Sequence, residues 1–258
     1  MNTTRTYALF FCLITGLLST SCNSEKKAER LNIFAAASLQ DVLNKTAEVY
    51  QKETGVKLSL NFASSGVLAR QIEQGADVDF FFSANENWIN YLLEKKLFDS
   101  ESKLNLAKNK MVIIVPNESQ MPQPESFTPD QIPLLSYDRL AIGDPTHVPA
   151  GKYAREILSH YKLWETLESK ILPCKNARET LLMVEMGEVD MGIVYLSDAK
   201  KSKKVRCLYE FPENCSSPIL YYSAHRKKTN SKIQKFQNFL KQPESRKIWK
   251  DYAFIIHD

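Results

Sequence analysis

The chain has 258 residues, of which 43% are hydrophobic, 10% aromatic and 25% charged, a globular composition that excludes a disordered, collagen-like or coiled-coil polypeptide. Its 34 basic and 30 acidic residues give a net charge of +4, or +3 once Arg5 leaves with a leader, and that balance argues against a dedicated nucleic-acid surface. At this length the chain can bury a large core as one α/β domain or as two lobes, without needing disulfides.

Arg5 precedes the apolar run Tyr7–Leu18, which is too short for an ordinary membrane span and has the length of a secretory signal's hydrophobic region. Export is therefore expected, with residues 1–21 as the signal peptide. The small residues Ser19-Thr20-Ser21 before Cys22 resemble a bacterial lipobox, whose cysteine becomes lipidated and forms the new N-terminus. In the usual pattern leucine stands three places before the cysteine, whereas here Leu18 stands four places before it, and ordinary signal-peptidase cleavage is the alternative. Residues 22–30 are polar and charged without apolar periodicity and read as a tether, so the folded body starts near Leu31.

From there short apolar runs alternate with amphipathic segments. Asn32–Ala36 reads as a strand and Leu39–Glu53 as a helix closed by Gly55; Val56–Phe62 as a strand and Gly66–Gln74 as a helix; Val78–Phe82 as a strand and Glu86–Lys95 as a helix. Repeated βα alternation predicts a mainly parallel sheet with helices on both faces. Met111–Val115 is a buried-type strand, and the irregular, Pro-rich Met121–Pro133 after it suggests a boundary. A second α/β set follows, with strands at Leu140–Gly143, Val189–Tyr195 and Val205–Tyr209 and helices at Lys152–Tyr161 and Arg178–Met186. Strand Leu220–Ser223 and helices Lys232–Leu240 and Glu244–Tyr252 end the chain. Of the cysteines left in the body, Cys207 and Cys215 could pair, but Cys174, Cys207 and Cys215 are odd in number and read as buried free thiols. No CxxC or Cys/His spacing suggests a metal site.

Chemistry points to the strand-to-helix junctions, which carry small, neutral hydrogen-bonding residues. Ala35-Ala36-Ala37-Ser38 runs from a strand into a helix with Ser38 at the expected N-cap, and Ala63-Ser64-Ser65-Gly66 repeats the arrangement. Helix N-termini present unpaired N–H groups and the positive end of a dipole, so converging ends make an anion site without charged side chains. A serine at a helix start is also an ordinary cap, and for each junction alone that is the simpler reading. In the second half, Gly143–Gly151 delivers Pro149-Ala150 to a helix start, Asn176-Ala177-Arg178 offers another, and Tyr195 ends a strand where open α/β sheets place ligand contacts. Asp144, His147 and Asp198 form a candidate catalytic set, but Asp144-Pro145 also reads as a turn. An exported serine hydrolase would want a Gly-x-Ser-x-Gly elbow, and no such motif, Walker loop or HExxH occurs. A structural or adhesive lipoprotein would have no need of several small-residue helix starts at strand ends.

The segments Phe34–Leu39 (FAAASL), Phe62–Ala84 (FASSGVLARQIEQGADVDFFFSA), Gly143–Glu156 (GDPTHVPAGKYARE), Glu179–Ala199 and Leu240–Phe254 resemble, in order and spacing, the periplasmic molybdate-binding family of bacterial molybdate ABC transporters. The resemblance covers Leu31–Phe254. It implies a two-lobed type II periplasmic-binding-protein fold with a cleft between the lobes, residues 31–109 plus 221–258 in lobe 1, residues 110–220 in lobe 2, and crossings near Lys110 and Tyr221. It also implies a molybdate site made of the Ser38 and Ser65 hydroxyls and N–H groups, the Ala150 and Ala177 N–H groups and the Tyr195 hydroxyl, with molybdenum held through its oxygens and not ligated directly. The family often has valine where this chain has Ala177; because the contact is a backbone N–H, the bond should persist. The resemblance further implies a non-enzymatic monomer without a cofactor, delivering molybdate or tungstate to an ABC permease from the periplasm or the outer face of a membrane, there anchored at Cys22. Sulfate or another tetrahedral oxyanion is the alternative ligand, and no nucleic-acid partner is expected.

Overall fold

The computed structural model describes residues 29–121, 128–134, 137–227 and 230–256. The leader and Cys22, with the proposed tether up to residue 28, lie outside the described residues.

Strand β1 (Arg30–Ala36) passes through a 3-10 turn (Ala37–Leu39) into α1 (Gln40–Thr54). This helix buries Val42, Leu43, Thr46 and Tyr50 on one face and ends at Gly55, whose φ of 73° and N–H bond to Gln51 O close it in the left-handed region that glycine tolerates. Next come β2 (Lys57–Ala63), α2 (Ser65–Glu73), β3 (Phe80–Ser83), α3 (Glu86–Glu94) and β4 (Leu104–Lys108). The third strand starts at Phe80, not Val78, because the Asp79 carboxylate accepts the Asn32 N–H at 2.7 Å where a strand carbonyl would otherwise stand. The chain continues through β5 (Met111–Pro116), β6 (Leu140–Gly143), α4 (Pro149–His160), α5 (Trp164–Leu167), β7 (Ile171–Cys174), α6 (Ala177–Glu185), β8 (Met191–Tyr195), α7 (Leu196–Lys201) and β9 (Val205–Glu210). It ends with β10 (Leu220–His225), α8 (Ser231–Leu240) and α9 (Pro243–Asp251).

Two five-stranded sheets result, ordered β2-β1-β3-β10-β4 and β7-β6-β8-β5-β9. In each, the three strands of the βα repeat run parallel, and the two strands beside the crossings pair antiparallel. The chain thus leaves the first sheet between β4 and β5 and returns between β9 and β10. The boundary suggested by the Pro-rich stretch Met121–Pro133 is corrected: β5, which precedes it, already pairs with β8 and β9. Its described end holds a 3-10 turn over Pro129–Leu134, and the next strand, β6, joins the same sheet as β5, so no change of sheet falls in this stretch.

One large apolar cluster runs through both lobes, from Leu39, Leu43, Tyr50 and Phe236 to Ile113, Ile142, Ile157 and Ile193. Separate clusters fill the opposite faces, around Leu68, Ile72, Phe81 and Leu92 in one lobe and Val112, Ile114, Leu181 and Val184 in the other. Helices therefore cover both faces of each sheet. Cys174, Cys207 and Cys215 are free thiols, with Cys174 and Cys215 buried.

Candidate functional site

The strand ends of the two sheets face each other, and the helix starts after β1, β2, β6 and β7 meet between them. After β2, Ser64 is the N-cap of α2: its Oγ accepts the Val67 N–H at 3.4 Å. Capping is thus satisfied by Ser64 and leaves Ser65, at the first helical position, for another role. The Ser65 Oγ accepts the Ala84 N–H at 3.1 Å, so its own proton is what it has left to offer. After β1 the expected N-cap is corrected. Ser38 sits inside the Ala37–Leu39 turn and caps nothing, because one tight turn precedes α1, which starts only at Gln40. Its Oγ instead accepts from the Tyr221 hydroxyl at 3.1 Å.

In the second lobe, Pro149 opens α4, three residues earlier than the sequence pattern suggests, which puts Ala150 in the first turn. Gly143 and Gly151 permit this: a Cβ on Gly151 would lie 1.8 Å from the Gly143 carbonyl oxygen. Asn176 caps α6 by accepting the Glu179 N–H at 3.0 Å, leaving Ala177 at the first helical position. The first backbone N–H groups of a helix have no partner within it, so Ser65, Ala150 and Ala177 each bring one.

Ser38, Ser65, Ala150, Ala177 and Tyr195 all line one small cavity between the lobes, together with Ala84, Val148 and Asn176. All five are buried, and no charged side chain lines the cavity. The Tyr195 hydroxyl is buried without a hydrogen-bond partner in the protein, and burial raises its pKa well above the ordinary phenol value, so it remains a neutral donor. A buried donor left without a partner costs about 1–3 kcal/mol, which an acceptor in the cavity would recover. Among the described residues, no group of three His, Cys, Asp or Glu could hold a metal ion.

The lobes are closed on each other. The Gly66 N–H donates to His147 O across the cleft at 3.2 Å, and Arg178, in the first turn of α6, reaches Asp41 in the first turn of α1. Arg178 Nε also lies 3.2 Å from the buried Asp198. Burial pushes the Asp198 carboxyl up to about 7, with Arg178 opposing the rise and Asp41 adding to it. This three-residue cluster was not legible in the sequence. The candidate set Asp144, His147 and Asp198 is not assembled. Asp144 accepts from Thr146 N and Oγ1 at 2.8 and 2.6 Å and lies 3.6 Å from His147 Nδ1, but Asp198 pairs with Arg178 instead, so the three do not come together.

Comparison with known proteins identifies the family and the fold. The family described as bacterial extracellular solute-binding protein matches residues 31–255. The molybdate-binding protein ModA of Escherichia coli (strain K12) is 39% identical over 235 residues, covering 88% of this chain and 89% of its own. Its counterpart in Haemophilus influenzae is 35% identical over 244 residues, with 94% of each chain covered. The solved periplasmic molybdate-binding protein of Azotobacter vinelandii superposes with a TM-score of 0.78 over 88% of this chain and 100% of that one, at 21% identity, and carries the same fold. With the family matched from the first strand of the body to its last bridge, the chain belongs to the bacterial extracellular solute-binding proteins.

Proposed function

We propose that this protein binds molybdate, and with it tungstate, in the closed cleft and presents the oxyanion to an ABC permease outside the cytoplasmic membrane. The observation that carries the reading is the convergence of Ser38, Ser65, Ala150, Ala177 and Tyr195 on one buried cavity without a charged lining residue. A tetrahedral dianion can be held there by hydrogen bonds alone. Bonds to a charged group contribute roughly 1.5–3 kcal/mol each, and helix N-termini add the positive ends of their dipoles. The molybdate-binding relatives at 39% and 35% identity support the same ligand.

The donor set also discriminates. Both serine hydroxyls already accept an internal bond, so they meet a ligand with their protons. Phosphate near neutral pH keeps a proton that needs an acceptor, and leaving it unpaired costs about 1–3 kcal/mol. Sulfate has no such proton and must be rejected by size. Donors come from both lobes, so closure completes the site and ligand shifts the population toward the closed form, with bending at the two crossings. No covalent step is involved, the protein acts as a monomer, and lipid at Cys22 holds it beside its permease.

Calorimetric titration of the body with molybdate, tungstate, sulfate and phosphate tests the reading. Tight binding of molybdate and tungstate with weak or absent binding of the other two is expected. Preference for sulfate or phosphate would refute it.

A further inference from the structure

A chain of buried hydrogen bonds links both lobe crossings to the cavity, and its direction can be worked out from the backbone. Asn109 lies on the first crossing, between β4 and β5, and is buried. Its Oδ1 accepts from Lys110 N at 2.9 Å and from Ser197 N at 3.4 Å. Peptide N–H groups can only donate, so they fix which end of the amide is oxygen. The Nδ2 end must then donate, and it does so to Ser197 Oγ at 2.8 Å and to the Tyr221 hydroxyl at 3.5 Å. Tyr221 stands near the start of β10, where the chain re-enters the first sheet, and is fully buried. With its oxygen accepting from Asn109, its own proton goes to Ser38 Oγ at 3.1 Å. Burial raises the Tyr221 pKa well above the ordinary phenol value, so that proton is present to donate.

Ser38 Oγ in turn has one proton of its own, and among the described residues no protein acceptor is recorded for it, while the residue lines the cavity. We infer that Tyr221 is a positioning residue for oxyanion binding, holding the Ser38 hydroxyl in the orientation that turns its proton into the cleft. The inference rests on the oxyanion reading of that cleft. The Tyr221 ring does not depend on its hydroxyl for its place. It packs edge-on to Phe254 at 5.2 Å between centroids and against Tyr195 at 5.7 Å, so Tyr221→Phe removes the donor and keeps the packing.

The test is a double-mutant cycle, read by calorimetric titration of molybdate up to millimolar concentration into wild type, Tyr221→Phe, Ser38→Ala and the double variant. Tyr221→Phe is expected to raise Kd about three- to tenfold in the wild-type background, the scale of one hydrogen bond. In the Ser38→Ala background it should change Kd by less than about twofold, because the group it orients is gone. A Tyr221→Phe variant that binds as wild type does overturns the inference. So does an equal loss in both backgrounds, which would place the effect in the fold or the hinge. Failure of wild type itself to bind molybdate overturns the oxyanion reading, and this inference with it.

Discussion

Closure of the lobes depends on the absence of one side chain, and Gly66→Ala tests this directly. The added Cβ would lie 2.6 Å from His147 O, about 0.8 Å inside the 3.4 Å at which ordinary contact begins, and equally close to the ring of Trp88. Trp88 belongs to the same lobe and is only partly buried, so its ring can turn aside. His147 O is backbone of the other lobe, at the start of the turn into α4, and can retreat only if the cleft opens. The closed form then loses the Gly66 N–H bond to His147 O, about 1 kcal/mol, and carries about 1–3 kcal/mol of overpacking. A cost of about 2–4 kcal/mol confined to the closed form corresponds to a rise in the Kd for molybdate of about thirty- to a thousandfold. Alanine is the better helix former by about 1 kcal/mol, and Gly66 lies inside α2, so the unliganded protein should melt no lower than wild type. Titration calorimetry gives the Kd, and small-angle scattering at saturating molybdate should give a larger radius of gyration than for wild type. A Kd within about twofold of wild type, at an equal radius, would refute the reasoning.

Ser38→Ala, Ser65→Ala and Tyr195→Phe should each weaken molybdate binding about ten- to a hundredfold by titration, one charge-assisted donor being worth roughly 1.5–3 kcal/mol. Ser65→Ala should also lower the melting temperature, since it strands the buried Ala84 N–H. For Asp198 the folded-state carboxyl sits at about 7, above its unfolded value, so the folded protein holds the extra proton. Its contribution to stability therefore declines as pH rises from about 4 toward 7, and Asp198→Asn should flatten the fall in melting temperature across that window. Metabolic labelling with a fatty-acid analogue should mark wild type and leave Cys22→Ala unmarked.

The βα order was legible because strands such as Met111–Val115 are unbroken apolar runs and helices such as α1 carry their burial at regular spacing. Among the described residues, two strands escaped notice: Leu104–Lys108, whose sequence LNLAK offers only two leucines and an alanine with only Ala107 fully buried, and Ile171–Cys174, four residues long, interrupted by Pro173 and buried only at Cys174. At the site, small residues after strand ends were a real signal, but Ala150 and Ala177 contribute backbone, which leaves no chemical signature in a side chain; the family resemblance supplied them. Ser38 was misread as a cap because one tight turn ahead of α1 looks, in sequence, like the helix itself. The ion cluster was out of reach, since Asp41 and Arg178 stand 137 positions apart and belong to different lobes.

The position of β10 in the first sheet bears on how the chain comes to be folded at all. This strand lies between β3 and β4, so those two never touch except through a segment made more than a hundred residues after them. Until residues 220–225 arrive, β3 and β4 each present an open edge, and the first-made lobe cannot be finished first. The second lobe draws all its strands from one stretch, Met111 to Glu210, and can assemble as soon as that stretch is free. Completion of the first-made sheet therefore waits on the last strand to be made. A nascent chain whose opening segment stays incomplete until its end is reached holds its first-made strands unpaired for longest, which makes those edges its exposed surface during synthesis.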